Sequence, residues 1–210
     1  MSYPQRMLNK ALLLSLQSMK RKLSFFQRIL RRIVGASFPR MEYKIKNATG
    51  EPISGTRISS HTFIDHPENL KLGNQVYIGH FNVVEASQGI MIDEGVQITA
   101  HCVLTTHSSH QSIRLYGRQY SGAEMYGYKT GKIEIGKFTF VGPHSTIMPN
   151  TIIGKGCLIH AYSYVRGTYP DYSVIGGNPA IVLGDTRTLD QPYLDEHPEL
   201  KAHYEAWTSE

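Results

Sequence analysis

From Ile135 to Val165 an aliphatic side chain recurs at every sixth position: Ile135, Val141, Ile147, Ile153, Ile159 and Val165. A small residue stands two places before most of these, at Thr139, Ser145, Thr151, Cys157 and Ser163, and glycine follows directly at Gly136, Gly142 and Gly154. A period of six fits neither a helix of about 3.6 residues per turn nor the two-residue alternation of a flat strand. It fits a chain that turns a corner every six residues, with three hexads closing one coil of a triangular solenoid. The aliphatic residue then points into the prism, the small residue fits the corner, and coils stack by parallel pairing. The register recurs at Leu72, Ile78 and Val84 and, after a slip of two residues, at Ile92, Ile98 and Leu104. Ile58 and Ile64 open the series.

Composition agrees with one domain carrying small additions. Hydrophobic residues make up 40% of the 210. The longest apolar run, Ala11 to Leu14 and on past Ser15 to Leu16, falls far short of the ~20 residues a spanning helix needs. Lys20, Arg21 and Lys22 follow that run without a small-residue cleavage site, a poor fit to a signal peptide. Cys102 and Cys157 both occupy the small corner position, so they read as packed free thiols of a reducing, cytoplasmic compartment.

Charge is divided unevenly. Residues 1–40 hold nine Lys or Arg and no acid, which leaves 13 basic and 17 acidic residues in the body. Leu8, Leu12, Leu16, Met19, Leu23, Phe26, Leu30 and Ile33 recur at three or four places and give this arm one apolar helical face. A basic amphipathic helix suits peripheral contact with an anionic membrane face. The same stripe suits packing on the solenoid or on a sister subunit, and an Arg-rich, acid-free arm also suits an organelle transit peptide. No nucleic-acid reading motif accompanies the charge.

The hexads break off after Leu104 and resume at Ile133 or Ile135, so the segment between them must protrude. A loop this long in a compact solenoid is usually functional. His107 and His110 stand where the register ends, and histidine suits proton transfer at physiological pH. Val84 and Leu104 share one face in successive coils, which puts Glu85 under Thr105, near His107. Glu85 can orient the imidazole as the third group of a triad does; Asn82 competes for that role.

Three stretches resemble a known family: Thr105-Thr106-His107-Ser108-Ser109-His110, then Val141-Gly142-Pro143-His144 with its hexads, then Val174-Ile175-Gly176-Gly177-Asn178-Pro179-Ala180. The chain resembles the hexapeptide-repeat acyltransferases from about residue 58 to 185, nearest to the galactoside and maltose acetyltransferases and those of polysaccharide gene clusters. The resemblance implies an all-β, left-handed parallel β-helix with a protruding loop, here joined to an N-terminal amphipathic helical arm and a short C-terminal helix. The expected divisions are an arm and linker over 1–50, the β-helix over 51–185 with its loop at 108–132, and a tail over 186–210.

By the same resemblance the reaction is transfer of an acetyl group from acetyl-CoA to a hydroxyl of a sugar or glycan, with His107 as base. No metal is implied. Family members are homotrimers with the site between neighbouring prisms. His110, Tyr120, Met125 and Tyr126 then belong to the acceptor pocket, whereas Gly142, His144, Ala161, Arg166, Gly177 and Asn178 belong to the donor. Ile181-Val182 stand where the family often has Lys or Arg after Asn-Pro-Ala, which leaves the phosphates to Arg166, Arg187 or Lys155. Alternatives are N-acetylation of an amino sugar, a non-catalytic trimeric scaffold, and a γ-carbonic-anhydrase-like metal site built from His61, His66 and His101.

Overall fold

The computed structural model describes residues 25–28, 30, 35, 37–47 and 49–209, which fall into two compact units divided after Pro39. In the first unit, Phe25, Phe26 and Leu30 lie exposed on helical backbone. Most of the apolar stripe expected over residues 8–33 lies outside the described residues.

The second unit is a parallel β-helix with three faces. The first face runs through Arg57–Ser59, Tyr77–Ile78, Gln97–Ile98, Phe140–Val141, Leu158–Ile159 and Ser173–Gly177, all parallel. Antiparallel strands close it at both ends, Met41–Glu42 on one side and Ala180–Asp185 on the other. The second face pairs Ile64 with Val84, Leu104, Ile147 and Val165 in succession. The third pairs Leu72 with Ile92, Ile135, Ile153 and Tyr169. The hexad positions are therefore the core. Ile78, Ile92, Ile98, Leu104, Val141, Ile147, Ile159 and Val165 are fully buried, each contributing about 1.5–3 kcal/mol relative to exposure. A slip of one residue would turn the whole set outward, so the register is strongly fixed.

The corners explain the small residues. Thr139 Oγ1 donates to Gly154 O (2.9 Å), Ser145 Oγ to His160 O (3.0 Å) and Ser163 Oγ to the same carbonyl (2.7 Å). Each buried hydroxyl finds a backbone carbonyl in a turn too tight for a longer side chain. Glycine is demanded where adjacent coils touch. A Cβ on the buried Gly142 would stand 2.6 Å from Ala161 N and 2.7 Å from Ile159 O. Gly142→Ala should therefore destabilise the protein by about 1–3 kcal/mol through forced backbone movement, measurable as a lowered denaturant midpoint with an unchanged slope.

The C-terminal segment holds more helix than its sequence suggests. Helix α1, Thr186–Glu196, contains Pro192 and is capped by Asp185, whose side chain accepts from Arg187 N. Helix α2, Lys201–Thr208, follows a 3-10 turn at Pro198–Leu200. Trp207 packs on Phe138 (4.9 Å between ring centroids), Tyr204 (5.4 Å) and Tyr172 (6.0 Å). Helix α2 thus lies along the edge between the third and first faces, while the Ala180–Asp185 strand closes the first face at its end.

Candidate active site

The chain leaves the second face after Thr105 and regains the third at Ile133. Between them, His107–Ser108 and Lys129–Thr130 pair antiparallel as a two-residue stem, which carries a short helix at Ser112–Tyr116. Gly131 N donates to Thr106 O (2.9 Å) and Asn150 Nδ2 to Thr130 O (2.8 Å), so the root of the loop is tied to the coils on both sides.

At that root His107 meets Glu85. Cα pairing sets Glu85 beside Thr105, and His107 Nδ1 lies 2.9 Å from Glu85 Oε2. Glu85 is 8% exposed. Its carboxylate accepts from Ser87 N (2.8 Å), Thr106 N (2.8 Å) and Thr106 Oγ1 (2.8 Å). Burial alone would raise its pKa; hydrogen bonds from Ser87 and Thr106 outweigh that and hold it at about 2. The His107 ring lies parallel to Tyr128 (5.7 Å between centroids, 8° between planes). A buried anion, an aromatic platform and a backbone pair thus fix the imidazole through Nδ1, leaving Nε2 as the nitrogen for a substrate proton.

Residues 132–167 match the bacterial transferase hexapeptide family (six repeats). The match falls on the regular hexads from Ile135 to Val165. The "Probable acetyltransferase Rv3034c" of Mycobacterium tuberculosis is 27% identical over 143 residues, covering 68% of this chain and 46% of that protein. Galactoside O-acetyltransferase of Escherichia coli strain K12 is 26% identical over 144 residues, covering 65% of this chain and 66% of that enzyme. The chain spans about half the length of several curated relatives it matches. Among solved structures, AntD, an N-acyltransferase from Bacillus cereus in complex with dTDP and 3-hydroxybutyryl-CoA, superposes with a TM-score of 0.52 at 19% identity, over 68% of this chain and 88% of that one. That last likeness is one of fold.

The other residues singled out from sequence fall in several places. Asn82 is not beside His107. It is buried, with its amide bonded to Gly79 O, Thr99 O and Cys102 N, and therefore serves a corner. His110 Nδ1 lies 2.8 Å from Ser108 Oγ. Tyr120 and Met125 lie half-buried in the loop, where Met125 Sδ accepts from Ser121 N, while Tyr126 is 86% exposed. Gly142, His144 and Ala161 line the edge between the first and second faces. Gly177 and Asn178 form the exposed turn of the closing hairpin, and Arg166 lies at a different corner, near His110.

The edge between the first two faces carries a column of rings. Phe81 stacks on His101 (5.2 Å), His101 on His144 (4.9 Å) and His144 on Tyr162 (4.8 Å). Positive φ at each of these four corner residues sets one ring above the next. Phe81 also takes the edge of His61, so its ring stands between His61 and His101; His66 is turned to Glu68. The three histidines of the metal reading do not converge. Both cysteines are buried and free, with burial raising the Cys102 pKa and pushing Cys157 up to about 11, so neither is prepared as a nucleophile.

Sequence reasoning missed Tyr128 and Thr106. Tyr128 was one of four loop tyrosines, and only stem pairing shows that it shares a side with His107. Thr106 stands two places after Leu104, outside the small-residue position two before each aliphatic, so the hexad count gave no signal for it.

Proposed function

We propose that the protein is an acetyl-CoA-dependent O-acetyltransferase acting on a hydroxyl of a sugar or glycan. The observation that carries this reading is the His107–Glu85 pair at the root of a long loop on a hexapeptide-repeat β-helix. Names of the relatives, acetyltransferases and a galactoside O-acetyltransferase among them, support the reaction class. His107 Nε2 takes the hydroxyl proton as the oxygen attacks the thioester carbonyl. The resulting imidazolium is countered by Glu85 at 2.9 Å, and the proton passes to the departing thiolate as the tetrahedral intermediate collapses. Tyr128 holds the ring plane. The protein works as a homotrimer, its loop reaching a neighbouring prism.

No helix among the described residues is long and apolar enough to cross a membrane. The nine cations of residues 1–40 support peripheral contact with an anionic surface.

The test is thiol release from acetyl-CoA with a panel of sugars, amino sugars and sugar nucleotides. Acceptor-dependent release with a hydroxyl acceptor supports the reading, and release only with amino sugars replaces it by N-acetylation. No release from any acceptor, with no coenzyme A binding by calorimetry, overturns it in favour of a scaffold.

A further inference from the structure

His107 and Glu85 stand where the second face gives way to the third. The edge between the third and first faces is a different one, and there helices α1 and α2 leave a cavity of about 770 Å³ against the coil corners. Gln75, Glu94 and Phe138 reach it from three successive corners. The corner column is built to admit rings. Gly95 has a positive φ, and a Cβ on it would collide with the Phe138 ring; a Cβ on Gly156 would stand 2.9 Å from Trp207 Cη2. Trp207 packs on Phe138 and meets Tyr204 with 73° between the ring planes, so the rings form walls at a steep angle to one another. The charged lining is of one sign at neutral pH. Glu94 and Asp190 supply carboxylates, His203 is the other ionisable group, and among the described residues no Lys or Arg lines the cavity. The Tyr204 hydroxyl oxygen is buried and completes no hydrogen bond, with Asp190 the carboxylate beside it. A polar group buried without a partner is costly, and a ligand atom that reaches it relieves that cost.

We infer that this cavity binds a small organic cation, a primary alkylammonium ion. A cation is drawn to the faces of Trp and Tyr rings, more strongly where water is excluded. The ammonium hydrogens donate to a carboxylate and to the Tyr204 oxygen, which the chain leaves without a donor. The alkyl stem lies on Leu194, Leu200 and Ala206. Burial raises the pKa of Asp190 and pushes Tyr204 up to about 12, as it does wherever positive charge is lacking nearby. A quaternary ammonium satisfies the rings but brings no hydrogen to the hydroxyl, and an anion faces two carboxylates, so both fit less well. The volume is that of a small-molecule site, and none of its lining residues belongs to the loop of His107. Binding here is therefore separate from acyl transfer.

Trp207 is the only tryptophan of the chain, so its fluorescence reports on this cavity without a label. Titration of the full chain with butylamine should change that fluorescence saturably, and calorimetry should give the same dissociation constant. 1-Butanol, equal in length and uncharged, should bind about tenfold more weakly or worse, as should tetramethylammonium. Asp190→Asn and Tyr204→Phe should each weaken butylamine about tenfold. Asp195→Asn, which removes a carboxylate of the same helix outside the lining, should leave it unchanged. Absence of saturable butylamine binding overturns the site, and equal loss in Asp195→Asn overturns its placement. Equal affinity for 1-butanol overturns the cation assignment; equal affinity for tetramethylammonium overturns the part given to Tyr204. The comparison of the three ligands on wild type decides the matter even where a variant fails to fold.

Discussion

His107→Ala should lower acceptor-dependent turnover by about 10²–10⁴-fold, the usual contribution of a positioned general base. The loss should fall on kcat, with the KM for acetyl-CoA changed little, because the imidazole acts on the acceptor proton. Folding should survive. The His107 side chain is 39% exposed, and its backbone pairing with Thr130 does not depend on the ring. A melting temperature close to wild type would separate lost chemistry from lost structure. Replacing His110 should cost much less, since its Nδ1 is engaged by Ser108 Oγ at 2.8 Å.

Changing Glu85 should damage both stability and rate. Its carboxylate accepts from two backbone N–H groups and one hydroxyl as well as facing His107. Glu85→Ala strands those donors in a buried corner and should cost about 2–4 kcal/mol. Glu85→Gln keeps the shape but points an amide at groups that are themselves donors. It should fold more stably than the alanine variant and still lose kcat by on the order of 10²-fold with KM nearly unchanged, the pattern of a positioning residue.

The acid limb of stability follows from the same group. The folded pKa of Glu85 is about 2, below the roughly 4.3 of a free glutamate. A depressed carboxylate stabilises the fold fully above the unfolded value and loses that contribution as pH falls through the folded one. Between about pH 4.3 and pH 2 the wild type should therefore lose on the order of 3 kcal/mol that Glu85→Gln never had. Denaturant unfolding of both across that window measures the difference.

Repeat arithmetic accounts for how much of this was readable in advance. Every coil returns the chain to the same face, so placing Val84 beneath Leu104 also placed Glu85 beneath Thr105. The corner position of Cys102 and Cys157 followed from the same count, as did the loop, where the count fails. Asn82 shows where counting stops. Only the direction of its amide, toward Gly79, Thr99 and Cys102, separates a corner residue from a partner of His107. Helix α1 was hidden for a different reason: Pro192 suggests a break, yet it costs one backbone bond in a helix capped at Asp185.

Rescue of acetyl transfer by added imidazole, measured on wild type and His107→Ala with the same acceptor, tests the central claim most directly. A general base at His107 predicts that imidazole restores part of the lost rate in the variant and leaves the wild-type rate unchanged. A variant that runs at the wild-type rate without imidazole would place the base elsewhere and contradict the account.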